Sequence, residues 1–477
     1  MLQVYDTLTR KKHEFNPIEE GKVLLYQCGP TVYWTQHIGN MRAVVMTDLV
    51  VRTLEYLGYD VNFVRNYTDV GHLTSDGDTG EDKMEKGAKR EGLSPKQIAD
   101  KYIAIFEKDC HLLHTQTPSV LCRATEYIAD IIQLTQKLLD NNHAYCTDLA
   151  VYFNTKTFPT YDTLSRQNID ALVTGAGKGT VGDVNKKNPA DFALWVFKAG
   201  VHAHALQYWP SPFCSTLVKN GEGFPGWHIE CSAMSMKNLG ETLDIHMGGV
   251  EHIPVHHTNE IAQSEGATGK TFVRYWMHYE HLLVNGEKMS KSLGNVYSIK
   301  ELQKKGYHSL ALRYFFLQAQ YRSRQNFTFE ALQSSTNALN SILSTIMLLA
   351  QADTHHGTII EAQHKKFMQA IEDDMNIPQA LAVLWEVINS DEVASGKLVT
   401  ILDFDKVLGL RLCDILDHKI PQKIHDLVQY RELLRKESKF DKADKIRKQI
   451  ESTGYRVEDT ELGSFIVAKK PLDLLAP

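Results

Sequence analysis

The sequence predicts an α/β protein: a doubly wound parallel sheet, broken by an insertion and followed by an all-α C-terminal region. Three observations predict it. Near the N-terminus, apolar runs flank a helical run in "GKVLLYQCGPTVY", "MRAVVMTDLVVRTLEYLG" and "DVNFVRNYTDV". The alternation returns after residue 215 in "GWHIECSAMSMKNLG", "ETLDIHMGG" and "FVRYWMHYEHLLVNG". Beyond "GEKMSKSLGN" helical periodicity replaces it.

The elements follow in order. "GKVLLYQCGPTVY" reads as a strand ending in a Gly-Pro turn, and Gly58 stops the helix that follows it. Strand, helix and strand at this spacing imply a right-handed crossover and parallel pairing. Ligands of such sheets bind at the C-terminal strand ends, which places Cys28, Gly29 and Thr31 beside one end and Thr68 near the next. A charged stretch, "SDGDTGEDKMEKGAKREG", leaves the sheet, and helical periodicity resumes in "SPKQIADKYIAIFEKDCHLL" and "TEYIADIIQLTQKLLDNN". Short strands and loops between about 144 and 215 mark the insertion. Its "GAGKG" lacks the G-x-x-x-x-G-K-[ST] spacing of a phosphate-binding loop and reads as a plain loop. Helices are expected near 308–320, 329–350, 362–376, 378–390 and 424–451, with a loop at "ADTHHGT".

Size and composition narrow the class. A chain of 477 residues exceeds the ~250–300 at which one core stops growing, so two to four domains are expected. With 43% hydrophobic and 23% charged residues it is a globular sequence rather than a disordered or fibrous one. A net charge of −6 excludes a wholly basic surface but allows a local basic face. Neither an apolar leader nor a run of ~18 apolar residues is read, so no membrane span is expected. Seven scattered cysteines without a C-x-x-C pair predict a reduced, cytoplasmic protein with mostly buried free thiols.

Three short constellations carry chemistry. His256 and Glu260, at i and i+4, share one helix face and can reach one ion. Zinc needs three or four ligands, and Cys28 and Cys231 are the two thiols set among Gly, Pro and polar residues. The residues alone leave two readings open, a metal site or two core cysteines beside a capped helix. "HIGN" at 37–40 opens a helix, whose free N–H groups and dipole suit a phosphate. "KMSKS" at 288–292 lies between Gly286 and Gly294, a setting that suits a mobile polyphosphate clamp and equally an ordinary charged loop.

In combination, "CGPTVYWTQHIGN", "GWHIECSAMS", "HHTNEIAQSE" and "GEKMSKSLGN" resemble the class I cysteinyl-tRNA synthetases, a likeness that runs through essentially the whole chain. The resemblance implies a Rossmann-like catalytic domain at 1–120 and 216–305 and an inserted connective domain at 121–215. It implies a stem-contact helical region at 306–352, an anticodon-side bundle at 353–415 and a small basic helical tRNA-binding domain at 416–477. One Zn²⁺ would be held by Cys28, Cys231, His256 and Glu260, with His257 a neighbour only. ATP, as its Mg²⁺ complex, would be bound by His37, Gly39, Asn40 and Lys291. His37, Asn40, Lys288 and Lys291 would act in catalysis. Gly29, Thr31, Thr68, Trp227 and His246 would form the cysteine pocket.

The implied reaction joins L-cysteine to tRNA(Cys) through a cysteinyl-adenylate, in a monomer. The tRNA acceptor end would meet the catalytic domain and the anticodon the C-terminal helices. The alternative is an ATP-dependent ligase that joins cysteine to a small amine. The helical, locally basic C-terminal end argues against it, since such ligases lack a full anticodon-binding end. On charge alone, the ten Lys or Arg against five Asp or Glu of residues 419–450 suit a phosphate backbone and equally a solvated surface helix. Asn40 departs from the family's usual histidine, and Thr258 stands where glutamate is common. The stretch "NYTDVGHLTSDGDTGEDKM" differs from the commoner "NITDIDDKI".

Overall fold

Five parallel strands form the central sheet, in the spatial order Val273–Tyr279, Leu243–Gly249, Lys22–Gln27, Asp60–Tyr67, Val120–Arg123. Taken in chain order this is 3-2-1-4-5, with the direction of winding reversing between Lys22–Gln27 and Leu243–Gly249. That reversal opens a crevice at the C-terminal strand ends, where doubly wound sheets place their ligands. The computed structural model describes residues 1–70, 82–167, 183–290, 293–352, 357–460 and 463–475. "GAGKG", most of the "NYTDVGHLTSDGDTGEDKM" stretch, the middle of "ADTHHGT" and Lys291 lie outside the described residues.

The first crossover helix, Ile38–Tyr56, buries Met41, Val45, Leu49 and Leu54 at helical spacing. It ends before Gly58, whose φ of +93° is readily adopted only without a side chain. The insertion interrupts the second half of the sheet. It is a four-stranded antiparallel meander, Ala144–Cys146, Ala150–Phe153, Phe192–Phe197 and Gly223–Pro225, whose last strand lies beyond residue 215. Phe192–Phe197 is buried at every position, which explains its unbroken apolar run.

The C-terminal region is helical, and the helices Ser309–Leu317, Phe329–Ala352, Glu361–Glu372 and Ile377–Ile388 fall where periodicity placed them. Three features were not anticipated. Ala394–Leu408 is a further helix, packed on Ile38–Tyr56 and Phe329–Ala352. The expected long helix at 424–451 is two, Gln422–Lys436 and Phe440–Ser452, parted at Ser438 with φ +58°. The region also ends in a hairpin, Tyr455–Thr460 with Gly463–Ala468, so it is not helical throughout. Ile424, Val428, Ile450, Val457 and Ile466 give this end a small core of its own. No helix of the described residues is long and apolar enough to cross a membrane. All seven cysteines are free; Cys28, Cys122 and Cys231 are buried, Cys110 is partly so, and Cys146, Cys214 and Cys413 are exposed, which corrects the expectation of mostly buried thiols.

Candidate active site and metal centre

The crevice is built from chain ends that the sheet brings together. Cys28 is the first residue past Lys22–Gln27, and its N–H donates to Met247 O across the reversal point at 3.2 Å. Cys231 sits one turn into the helix Trp227–Leu239, and His256 and Glu260 occupy the first turns of His256–Thr268. All four are buried, and their ligand atoms lie within 4.8 Å of one another. The Cys28 and Cys231 sulfurs are 3.8 Å apart, Cys28 Sγ is 3.6 Å from Glu260 Oε1, and His256 Nε2 is 3.0 Å from the same oxygen. Cys28, His246, His257 and Glu260 form an overlapping group within the same limit. His246 Nε2 and His257 Nε2 stand 3.4 and 3.5 Å from Cys28 Sγ.

These donors suit a soft divalent cation. Two thiols, an imidazole and a carboxylate make a zinc-type set. Glu260 Oε2 is buried without a hydrogen-bond partner. Burial pushes the Glu260 carboxyl up to about 7 and raises the Cys28 thiol well above its usual value, with the Cys231 thiol adding to the rise. Burial likewise lowers His256 well below its usual range and His246 to about 4. A buried cation reverses that balance for the thiol and the carboxylate, which it favours ionised, and agrees with burial for the imidazoles, which both favour neutral.

The ligand candidates are held from behind by histidines. His256 Nδ1 meets His228 Nδ1 at 2.9 Å. His257 Nδ1 meets His278 Nε2 at 2.7 Å, and His278 Nδ1 meets Thr7 Oγ1 at 2.8 Å. Such partners fix which ring nitrogen faces a metal. His228, His278 and Thr7 escaped sequence reasoning. The only available signals were His228 at three residues before Cys231 and the "HH" pair itself.

A cleft of about 550 Å³ joins this corner to the two signature stretches. Cys28, Gly29, Thr31, Thr68, Trp227, Cys231 and His256 line one part, and His37, Gly39, Asn40, Lys288 and Met289 the other. Gly29 donates to Asn66 Oδ1 at 2.8 Å, and a Cβ there would fall 1.6 Å from Asn66 O, so no side chain fits. Thr31 and Thr68 pair as a parallel bridge beside it. The Trp227 ring packs on His256 with centroids 4.4 Å apart. His246 stacks on Trp276 at 4.7 Å, buried behind the cleft rather than lining it.

His37 is the N-cap of Ile38–Tyr56, its Nδ1 accepting from Asn40 N at 3.2 Å. Its ring crowds Gly39: a Cβ there would stand 3.0 Å from His37 Nδ1 and 2.3 Å from Met289 Cε. The Met289 methyl thus packs on the first signature and brings the second across the cleft. Asn295 steadies that loop, accepting from Ser290 N at 2.8 Å and donating to Lys288 O at 3.2 Å.

Residues 14–337, which hold the 3-2-1-4-5 parallel sheet and its crevice, match the family described as tRNA synthetases class I (C) catalytic domain. Methionyl-tRNA synthetase of Mycobacterium tuberculosis, solved with methionyl-adenylate, shares the fold at a TM-score of 0.55 and 15% identity, over 83% of this chain and 90% of that one. The chain is therefore a class I aminoacyl-tRNA synthetase. A cysteine–tRNA ligase of Treponema denticola is 40% identical over 96% of this chain and 98% of its own length. That of Caldicellulosiruptor saccharolyticus is 41% identical over 98% and 99%. Within the class, this chain belongs to the cysteine–tRNA ligases.

Proposed function

We propose that the chain activates L-cysteine with ATP and transfers it to the 3′ end of tRNA(Cys), with Zn²⁺ at Cys28, Cys231, His256 and Glu260. The observation that carries this reading is the single cleft shared by the Cys28–Cys231–His256 corner and the His37 and Lys288 signatures. The full-length likeness to cysteine–tRNA ligases gives no support to the small-amine alternative.

Neither step requires a protein nucleophile. The cysteine carboxylate attacks the α-phosphate of ATP and pyrophosphate leaves; a terminal ribose hydroxyl of tRNA then takes the cysteinyl group. The chain supplies position and charge. Gly29, Thr31 and Thr68 present backbone and hydroxyl groups to the amino acid, and Trp227 closes its side. The N-terminal turn of Ile38–Tyr56, with His37 and Asn40, faces the phosphates and Gly39 the nucleotide. Lys288 and Lys291 answer the charge that develops as pyrophosphate departs, with Mg²⁺ assisting. His246 holds the floor of the pocket through its stack on Trp276.

When bound, zinc would supply an affinity for ionised sulfur that oxygen matches poorly. Packing alone separates near-isosteres by only about 1–3 kcal/mol, so a metal at this corner gives serine discrimination without an editing site. The assay is ATP–pyrophosphate exchange and tRNA charging with cysteine and with serine. Exchange and charging are expected with cysteine only; exchange without transfer to tRNA would overturn the synthetase reading. Cys231→Ser is expected to lose zinc and to raise KM for cysteine strongly, and normal cysteine binding by that variant would remove the metal from recognition.

A further inference from the structure

Two of the exposed cysteines belong to neighbouring segments of the inserted domain and do not line the cleft. Cys146 ends the strand Ala144–Cys146, paired with Val151 at the closed end of the hairpin. Cys214 lies in the loop that leads to Gly223–Pro225. The residues just past each are pinned together: Asp148 Oδ1 accepts from Thr216 N at 3.0 Å and from Thr216 Oγ1 at 2.7 Å. The Asp148 carbonyl accepts from Ser215 Oγ at 2.8 Å. These bonds lay the loop along the hairpin end, joining a residue two past Cys146 to residues one and two past Cys214. Both thiols are free and open to solvent, whereas Cys28 and Cys231 are buried.

We propose that Cys146 and Cys214 form a reversible redox pair that closes to a disulfide by exchange with a low-molecular-weight disulfide. The Cys214 thiolate attacks one sulfur of the reagent, forming a mixed disulfide and expelling one thiolate. The Cys146 thiolate then attacks the Cys214 sulfur; the protein S–S bond forms, the mixed bond breaks and the second thiolate leaves. The two cysteine protons end on the two released thiols, so the protein loses two electrons and the reagent gains them. Closing the bond staples the hairpin to the segment that runs through Gly223–Pro225 into the helix bearing Cys231.

The test uses the full-length, zinc-loaded protein, treated with excess oxidised glutathione, quenched in acid, alkylated and mapped by mass spectrometry without reduction. A peptide joining Cys146 to Cys214, released by dithiothreitol, is expected. In Cys146→Ser the glutathione adduct should persist on Cys214, because no second thiol resolves it. Stable glutathione adducts on both cysteines of the unaltered protein, absence of reaction at either, or a cross-link joining Cys28 to Cys231 instead would each overturn the proposal.

Discussion

At the scale of single residues, the two overlapping donor groups pose a question that distances alone leave symmetrical, since both contain Cys28 and Glu260. The supporting histidines separate them. His228 touches His256, whereas His278 touches His257. With the metal on Cys28, Cys231, His256 and Glu260, His228→Phe should weaken zinc affinity about 10–100-fold, the usual cost of losing a partner behind a ligand. His278→Phe should change it far less. Competition with a chelator measures both, and the opposite order would move the ion to His246 and His257. The legible part of this site was the i, i+4 pair and the signature stretches, because local spacing is written in the chain. The histidines behind them were not legible, since their role depends on which strand neighbours which helix. Gly29 was legible as a pocket residue but not for its reason, the Asn66 carbonyl that leaves no space for a Cβ.

At the scale of elements, Asp48 ties the first crossover helix to the C-terminal helices. Its carboxylate meets Arg313 at 2.6 Å and Arg52 at 2.8 Å and accepts from Gln116 N at 2.7 Å. Arg313 in turn donates to Leu408 O at 2.8 Å and Leu113 O at 3.0 Å. Burial would push the Asp48 carboxyl up, but Arg313 and Arg52 outweigh it and hold it below its usual 3.8. The folded protein thus binds this proton less readily than the unfolded chain. Its contribution is complete above about pH 4 and is lost as the pH falls further. Asp48→Asn should cost about 3–5 kcal/mol near neutrality, because Arg313 is left buried and uncompensated. In urea unfolding the gap to the unaltered protein should narrow below pH 4. Elements hidden from the sequence have physical causes as well. Ala394–Leu408 holds Ser395, Gly396 and several β-branched residues, weak helix formers whose conformation is set by packing on Ile38–Tyr56. The break at Ser438 rests on one residue in a left-handed conformation, inside an otherwise continuous helical pattern. The terminal hairpin is short and half exposed, so its alternation was faint.

At the scale of the whole molecule, an acidic chain presents a basic end. Lys442, Lys445 and Lys448 recur every three residues on the exposed side of Phe440–Ser452. Replacing all three with alanine should raise KM for tRNA and flatten its salt dependence by about one unit of slope per lost phosphate contact. ATP–pyrophosphate exchange with cysteine should be unchanged; parallel loss of both activities would show that this helix serves folding rather than tRNA. The candidate metal site carries a different kind of consequence. Cys28 and Cys231 are 203 positions apart, with the whole antiparallel meander between them. During synthesis the first sulfur leaves the ribosome long before its partners, and the corner cannot close until Leu243–Gly249 has paired with Lys22–Gln27. On the proposed zinc assignment, metal uptake would therefore be a late event in the life of each new chain, and it would mark those in which the two halves of the sheet have found each other.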